Sequence, residues 1–283
     1  MDPIRGKVWR GVNWSSDAGA GSIHDDVTAA KLGFRGGTVA GDIHMNQFPP
    51  VLLEIFGDEW FRTGNLSLDF KAATVDREAV QVSAEPLPAG ACQTRVWMER
   101  DDGMLVCTGT AAVGDHSRSA LRSKDLRPCD PSELRILREL HAGRSLGHFE
   151  LDLNPTLQFE RYDRGLISDP LDVYRTGEKW GAPVAAPCTF VQYFWGPPTR
   201  AIRPLVGEAV GLFGAIEIGH VNGPLLLDRL YLIDSEVVSV GQSPQTEYFW
   251  FDTTAKRPDG TLVAVFRMML RFMKASSPLY GKG

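Results

Sequence analysis

Between Ile23 and Met45 the chain reads IHDDVTAAKLGFRGGTVAGDIHM, a histidine and two aspartates ahead of a glycine-rich turn and a second histidine. Imidazole titrates near neutral pH, so His24 can take or give a proton. The apolar run that opens at Gly41 reads as a helix, and main-chain N–H groups at a helix start hold developing negative charge. Together these residues could polarise a carbonyl, such as that of a thioester, and move a proton beside it.

Each candidate carries a plainer reading as well. His24 is either the acid–base group or a loop histidine packed on its own turn. Asp17 either activates water or orients His24, or it is a turn acid among Ser, Gly and Ala. Asp25 and Asp26 suit the start of the helix DVTAAKLG, where a carboxylate satisfies free N–H groups, and at least one of them is expected to cap it. Gly41 has no side chain to obstruct a carbonyl approaching the helix start. Asp42 follows at once, and its charge would oppose an oxyanion there. His44, two residues on, lines the pocket or packs at an interface. Phe34, Ala40, Asp42 and His44 are the expected substrate contacts. Phe190, Tyr193, Phe194 and Trp195 suit a core or an aromatic tunnel wall, and His220 and Asn222 a turn.

Composition narrows the class. The chain has 283 residues, 43% of them hydrophobic, enough for a sizeable core or two modest domains. Net charge is −5 with mixed signs, which argues against nucleic acid as a partner. The basic run HSRSALRSKDLR reads as a solvated linker face. No apolar run approaches the ~20 residues of a membrane span. The opening MDPIRGKVWRG has no signal-peptide core. Cys92, Cys107, Cys129 and Cys188 form no CxxC pair, so reduced structural thiols and a cytoplasmic location are expected. No His, Cys or acid cluster has metal-ligand spacing, and no glycine-rich loop suits a dinucleotide. Neither a metal nor a cofactor is expected.

The elements that must position these groups recur. GFRGGTVAGDIHMNQFPPVLLEIFG, NLSLDFKAATVDREAVQVSAE and CQTRVWMERDDGMLVCTGTAAVG are echoed by KWGAPVAAPCTFVQYFWG, GPLLLDRLYLIDSEVVSVG and TEYFWFDTTAKRPDGTLVAVFRMMLRF. Asp76-Arg77-Glu78 pairs with Asp234-Ser235-Glu236, each read as lying between strands. Asp101-Asp102-Gly103 and Pro258-Asp259-Gly260 read as hairpin turns. The second helix is expected to continue through TRAIRPLVGEAVGLF. The pattern predicts an α+β fold, one long helix on a strongly bent antiparallel sheet, made twice. Boundaries fall at 1–114 for the first, site-bearing half, 115–154 for a linker, and 155–283 for the second half. In the linker Asp130 reads as an N-cap, with Pro131 and Glu133 behind it and Leu134, Ile136, Leu137 and Leu140 as the apolar stripe of a helix.

The arrangement resembles a tandem hotdog protein. Its first half is similar to the MaoC-like, R-specific enoyl-CoA hydratase/dehydratase family, whose segment D-x-N-P-(I/L)-H-x-D precedes an Ala-rich stretch and an FPGPIAHG-like turn. His24 matches the family His, Asp26 the acid two residues after it, Ala29 and Ala30 the Ala stretch, and Phe34 to Gly41 the turn. Gly19 stands where the family has its catalytic Asp, Gly21-Ser22 where it has Asn-Pro, and Ala40 where it has a His. In the second half SDPLDV places Asp172 at the His position, so that half reads as degenerate. The resemblance implies addition or removal of water at an α,β-unsaturated acyl thioester of coenzyme A or an acyl carrier. Gly41 N–H would hold the thioester oxygen, and His24, with Asp17 or Asp26, would position water and shuttle the proton. WSSDAGAG also slightly resembles the D-x-x-G segment of hotdog thioesterases, which leaves thioester hydrolysis as an alternative. A non-catalytic binder, or an atypical lyase on a free small molecule, is a third. A monomer with an internal pseudo-dimer and a homodimer both fit such a fold.

Overall fold

The structure is a computed structural model and describes residues 2–14, 21–167 and 171–281. In chain order its strands and helices are β1 (Ile4–Arg10), α1 (Asp26–Lys31), α2 (Gly41–Met45), α3 (Phe48–Phe56), α4 (Glu59–Thr63), β2 (Gly64–Phe70), β3 (Ala79–Ala84), β4 (Gln93–Arg100), β5 (Leu105–Val113), β6 (Ser145–Asp152), α5 (Thr156–Asp163), α6 (Pro187–Ile202), β7 (Gly211–His220), β8 (Leu230–Gln242), β9 (Thr246–Lys256) and β10 (Leu262–Met273). The described strands form one antiparallel sheet in the order β1-β3-β4-β5-β2-β7-β10-β9-β8-β6. Read outward from its centre, the second group of five repeats the first. The two groups join where β2 pairs with β7, Leu66 opposite Ile218 and Leu68 opposite Ile216.

The repeat is in the backbone as well as in the strand order. Gly11 O accepts from Arg77 N at 2.7 Å, and Leu153 O accepts from Asp228 N at the same distance. Arg77 and Asp228 both take positive φ, 60° and 54°. Asp228 is therefore the counterpart of the Asp76–Glu78 turn. Asp234-Ser235-Glu236 instead lies inside β8, where alternating polar residues face outward along a long strand. The Asp102-Gly103 and Asp259-Gly260 hairpins form as expected, with Gly103 and Gly260 at φ 79° and 87°.

The helices depart from one long rod per half. In the first half the rod is cut into α2, α3 and α4. Pro49 and Pro50 lack the N–H that would bond the carbonyls of Met45 and Asn46, so the chain breaks before them. In the second half α6 keeps Pro197 and Pro198 inside it, and the freed carbonyl of Phe194 is met by the Thr253 hydroxyl at 3.3 Å. The helix stops at Ile202; Arg203–Leu205 make a 3₁₀ turn around Pro204, and Gly211 opens β7. The stretch expected to extend the helix is thus partly strand.

The middle of the chain is not a solvated tether. β6, placed in the expected linker, pairs with β8 at the sheet edge, so the second group of strands begins near residue 145. The basic run lies on the outer face of the sheet. Arg122 pairs with buried Glu217 at 2.8 Å and with Asp252 at 2.7 Å, Lys124 pairs with Asp69, and Leu121 packs with Trp250 and Met269. The helix expected after Asp130 is only a 3₁₀ turn, Pro131–Glu133, with Asp130 capping Ser132 N. Glu247, fully buried in β9, accepts from the N–H groups of Arg135, Ile136 and Leu137 at 2.8, 3.0 and 2.8 Å. Those donors are spent on a carboxylate rather than on a helical ladder, and Leu134, Ile136, Leu137 and Leu140 enter the core as coil. Among the described residues no helix is long and apolar enough to cross a membrane.

Candidate active site

The turn that carries His24 is held from both sides. Asn13 Nδ2 donates to His24 O at 2.8 Å, and Thr38 N donates to Ile23 O at 2.9 Å. Gly37 is required here, because a Cβ on it would stand 2.3 Å from His24 O. Asp25 caps α1 through Thr28 N at 2.9 Å, and its hydrogen bonds to Thr28, on side chain and backbone, draw its carboxyl down to about 2. Asp26 Oδ1 accepts from Gly37 N at 2.7 Å. Asp26 lines a second depression with Arg35, Asp76 and Arg164, one that His24 also lines, and its bond to Gly37 N ties down the turn. Asp17 lies outside the described residues, as does Gly19.

His24 Nδ1 stands 2.7 Å from Thr38 O. A carbonyl only accepts, so the neutral ring carries its proton on Nδ1. Nε2 keeps a lone pair, on a residue that lines a cavity of about 1120 Å³. The first half supplies one wall of that cavity: His24, Phe34, Ala40, Gly41, Asp42 and His44. α6 supplies another through Gln192, Trp195, Thr199 and Ile202. These four recur at helical spacing, so one stripe of α6, about 15 Å long by the helical rise, runs along the cavity. Phe190 and Phe194 face the core instead, and Tyr193 donates to Asn154 O at 2.6 Å. The buried thiol of Cys107 is pushed well above its ordinary value by burial and is absent from this wall.

Gly41 opens α2, and no side chain caps that helix. The space its missing side chain leaves is filled by the Phe70 ring, 2.7 Å from where a Cβ would stand. Glycine is needed there for the ring, which corrects the expectation that the space is kept for a carbonyl. Asp42, 1% exposed, points into the seam between the halves. Its Oδ2 accepts from Gln192 Nε2 at 2.9 Å and from Arg161 Nη1 at 3.3 Å. Arg161, 3% exposed, stacks over Trp14 at 4.9 Å. The charge expected to oppose an oxyanion is thus balanced by a guanidinium 119 residues away. Neither Arg161 nor Gln192 stood out in the sequence, because their partner is set by the pairing of the halves.

His44 is buried, with Nε2 at 2.6 Å from Thr74 Oγ1, and burial lowers it to about 4. His220 ends β7 rather than making a turn; its Nδ1 accepts from Leu225 N at 3.2 Å, and burial lowers it to about 3. Unfolded histidine titrates near 6.5. Between that value and the folded ones only the unfolded chain takes the proton, so stability is full above about pH 6.5 and falls as the pH drops. By pH 5 the loss should reach about 2 kcal/mol per histidine, read as a lower urea midpoint than at pH 7.5. His44→Phe should remove its share, and a midpoint that does not move between the two pH values would contradict this.

Equivalent hydrogen bonds locate the same positions in the second half. Thr38 N to Ile23 O matches Val184 N to Val173 O, and Val39 N to Thr74 O matches Ala185 N to Leu225 O. Tyr174, not Asp172, therefore stands at the place of His24, and it is fully buried. Phe190 and Leu225 stand at the places of His44 and Thr74. His24, His44 and Thr74 thus have apolar or buried counterparts in the second half.

No family model and no curated protein matches the sequence. Solved structures do match its shape. A conserved Mycobacterium tuberculosis protein with a double hotdog fold is similar at TM-score 0.53 and 12% identity, over 95% of this chain and 97% of that one. The chain is a double hotdog. A MaoC domain protein from Chloroflexus aurantiacus is similar to this double hotdog at TM-score 0.59 and 11% identity, over 96% and 95% of the two chains. A MaoC-like dehydratase is similar at 0.57 and 13%, over 96% and 97%.

Proposed function

We propose that this double hotdog is a hydratase/dehydratase that binds an acyl thioester, of coenzyme A or an acyl carrier, in the cavity between its halves. The observation that carries the reading is His24, whose Nδ1 is held by Thr38 O, leaving the Nε2 lone pair free on a residue that lines the cavity. In the hydration direction Nε2 takes a proton from water as its oxygen bonds the β-carbon. Charge moves onto the thioester oxygen, and the Gly41 N–H would hold it only if the Phe70 ring beside Gly41 gives way. The proton then returns to the α-carbon. The MaoC-type names among the similar structures support this class of reaction, and the MaoC-like pattern around His24 supports the role of the imidazole. The family's acid is missing at the position of Gly19, so the partner of His24 would be Asp17 or Asp26.

The test is a trans-enoyl-CoA followed in two ways. Hydration should bleach the enoyl absorbance while a thiol reagent detects no free CoA. Thiol release would mean hydrolysis, and no change in either would leave the chain outside both reactions.

A further inference from the structure

Phe70, Trp195, Phe213 and Phe272 pack against the core yet remain only half-buried, and all four line the cavity. Contiguous apolar surface left uncovered marks a ligand groove or an interface. The stripe of α6 fixes how far this surface runs. Gln192 Nε2 donates to Asp42 Oδ2 at 2.9 Å, so the Gln192 end of the stripe lies at the start of α2, beside the expected thioester. Ile202 lies further along α6, about 15 Å away by the helical rise. Between them the Thr199 hydroxyl is spent on Trp195 O at 2.7 Å, and the Trp195 indole nitrogen is itself buried, so the stripe beyond Gln192 is apolar. Exposed Arg203 and Glu208 line the cavity beyond Ile202 and end the apolar stretch.

We propose that this stretch takes the tail of a long apolar acyl chain and that Thr199 sets the length accepted; this rests on the acyl-thioester reading above. A zigzag of C–C bonds of about 1.5 Å advances about 1.3 Å per carbon, so an acyl chain of about 12 carbons spans the stripe. A short acyl group would leave the aromatic faces uncovered, whereas each methylene laid against them leaves water. A charged tail would lose its hydration there without a partner. The carrier arm of the thioester is a poor occupant, because its amides would meet no side-chain partner on the stripe. Thr199 lies about 10 Å along α6 from Gln192, a small side chain where a large one would close the path.

The experiment measures kcat/KM for hydration of crotonyl-, octenoyl- and dodecenoyl-CoA, and calorimetric Kd for butyryl-, octanoyl- and dodecanoyl-CoA. Burying one methylene is worth about fourfold, so both quantities should improve by at least about 100-fold from the shortest chain to the longest. Thr199→Trp should cancel the gain between octenoyl- and dodecenoyl-CoA, because the indole fills the path about 10 Å along it. Thr199→Val, of the same shape, should keep that gain. Leu212→Trp sets the same obstacle from β7, where Leu212 lines the cavity, and serves if Thr199→Trp does not fold. A flat length profile in a chain that hydrates crotonyl-CoA would overturn the inference and leave the acyl-thioester reading standing. Thr199→Trp slowing all three substrates equally would overturn it too, since the stripe would then hold the carrier arm. Binding that tightens with length but brings no hydration would uphold the tail site and overturn the hydratase reading. If none of these thioesters is bound or hydrated, the reading and the inference fall together.

Discussion

His24→Ala is expected to slow hydration of an enoyl thioester by about 10²–10⁴-fold, the usual contribution of a positioned acid–base group. The fold should barely notice. The ring is only partly buried, and its one hydrogen bond within the described protein runs to Thr38 O. A bond of that kind contributes about 1 kcal/mol, or roughly 2–4 °C of melting temperature in a chain of this size. The backbone of the turn keeps its own ties, to Asn13 Nδ2 and Thr38 N. His24→Asn sharpens the comparison. Its amide can donate to Thr38 O as Nδ1 does, yet nothing replaces Nε2, so turnover should fall as far as in the alanine variant while stability is better preserved. A variant that turns over normally would remove His24 from the mechanism.

Arg161→Met carries the largest expected effect on stability. Asp42 would remain in the seam with no cation, and breaking a buried pair from one side costs about 3–5 kcal/mol. At roughly 2–4 °C per kcal/mol the melting temperature should drop by about 6–20 °C. Adding Asp42→Leu removes the stranded charge, and buried pairs are often replaced by apolar residues at little net cost. The double variant should therefore recover most of the loss, as a thermal melt of the three proteins would show. A double variant as unstable as the single one would mean that packing, not charge, is what Arg161 supplies there.

The sequence carried local features well and distant ones poorly. The Asp25 cap, the two Asp-Gly hairpins and the strand repeat all rest on residues a few positions apart, and they form. The broken helices have local causes in Pro49, Pro50 and Pro204, whereas the other failures trace to a partner far along the chain. Glu247 strips the N–H groups of residues 135–137 from the helix that Asp130 announces. Glu217 and Asp252 draw the basic run onto the sheet. Phe70 takes the space beside Gly41, and Arg161 neutralises Asp42. Of the site, His24 and the cavity-lining turn were legible because they sit in one short segment. Of the half contributed by α5 and α6 only Trp195 was legible, as an aromatic wall residue; no local pattern marks Arg161 or Gln192 as neighbours of that segment.

The most direct test of the central claim is the fate of oxygen when the native chain meets a trans-enoyl-CoA in ¹⁸O-labelled water. We expect mass spectrometry to find an intact thioester that has gained one labelled hydroxyl on the acyl chain. Label recovered instead in a free carboxylic acid, or an enoyl thioester returned unlabelled and unchanged, would contradict it.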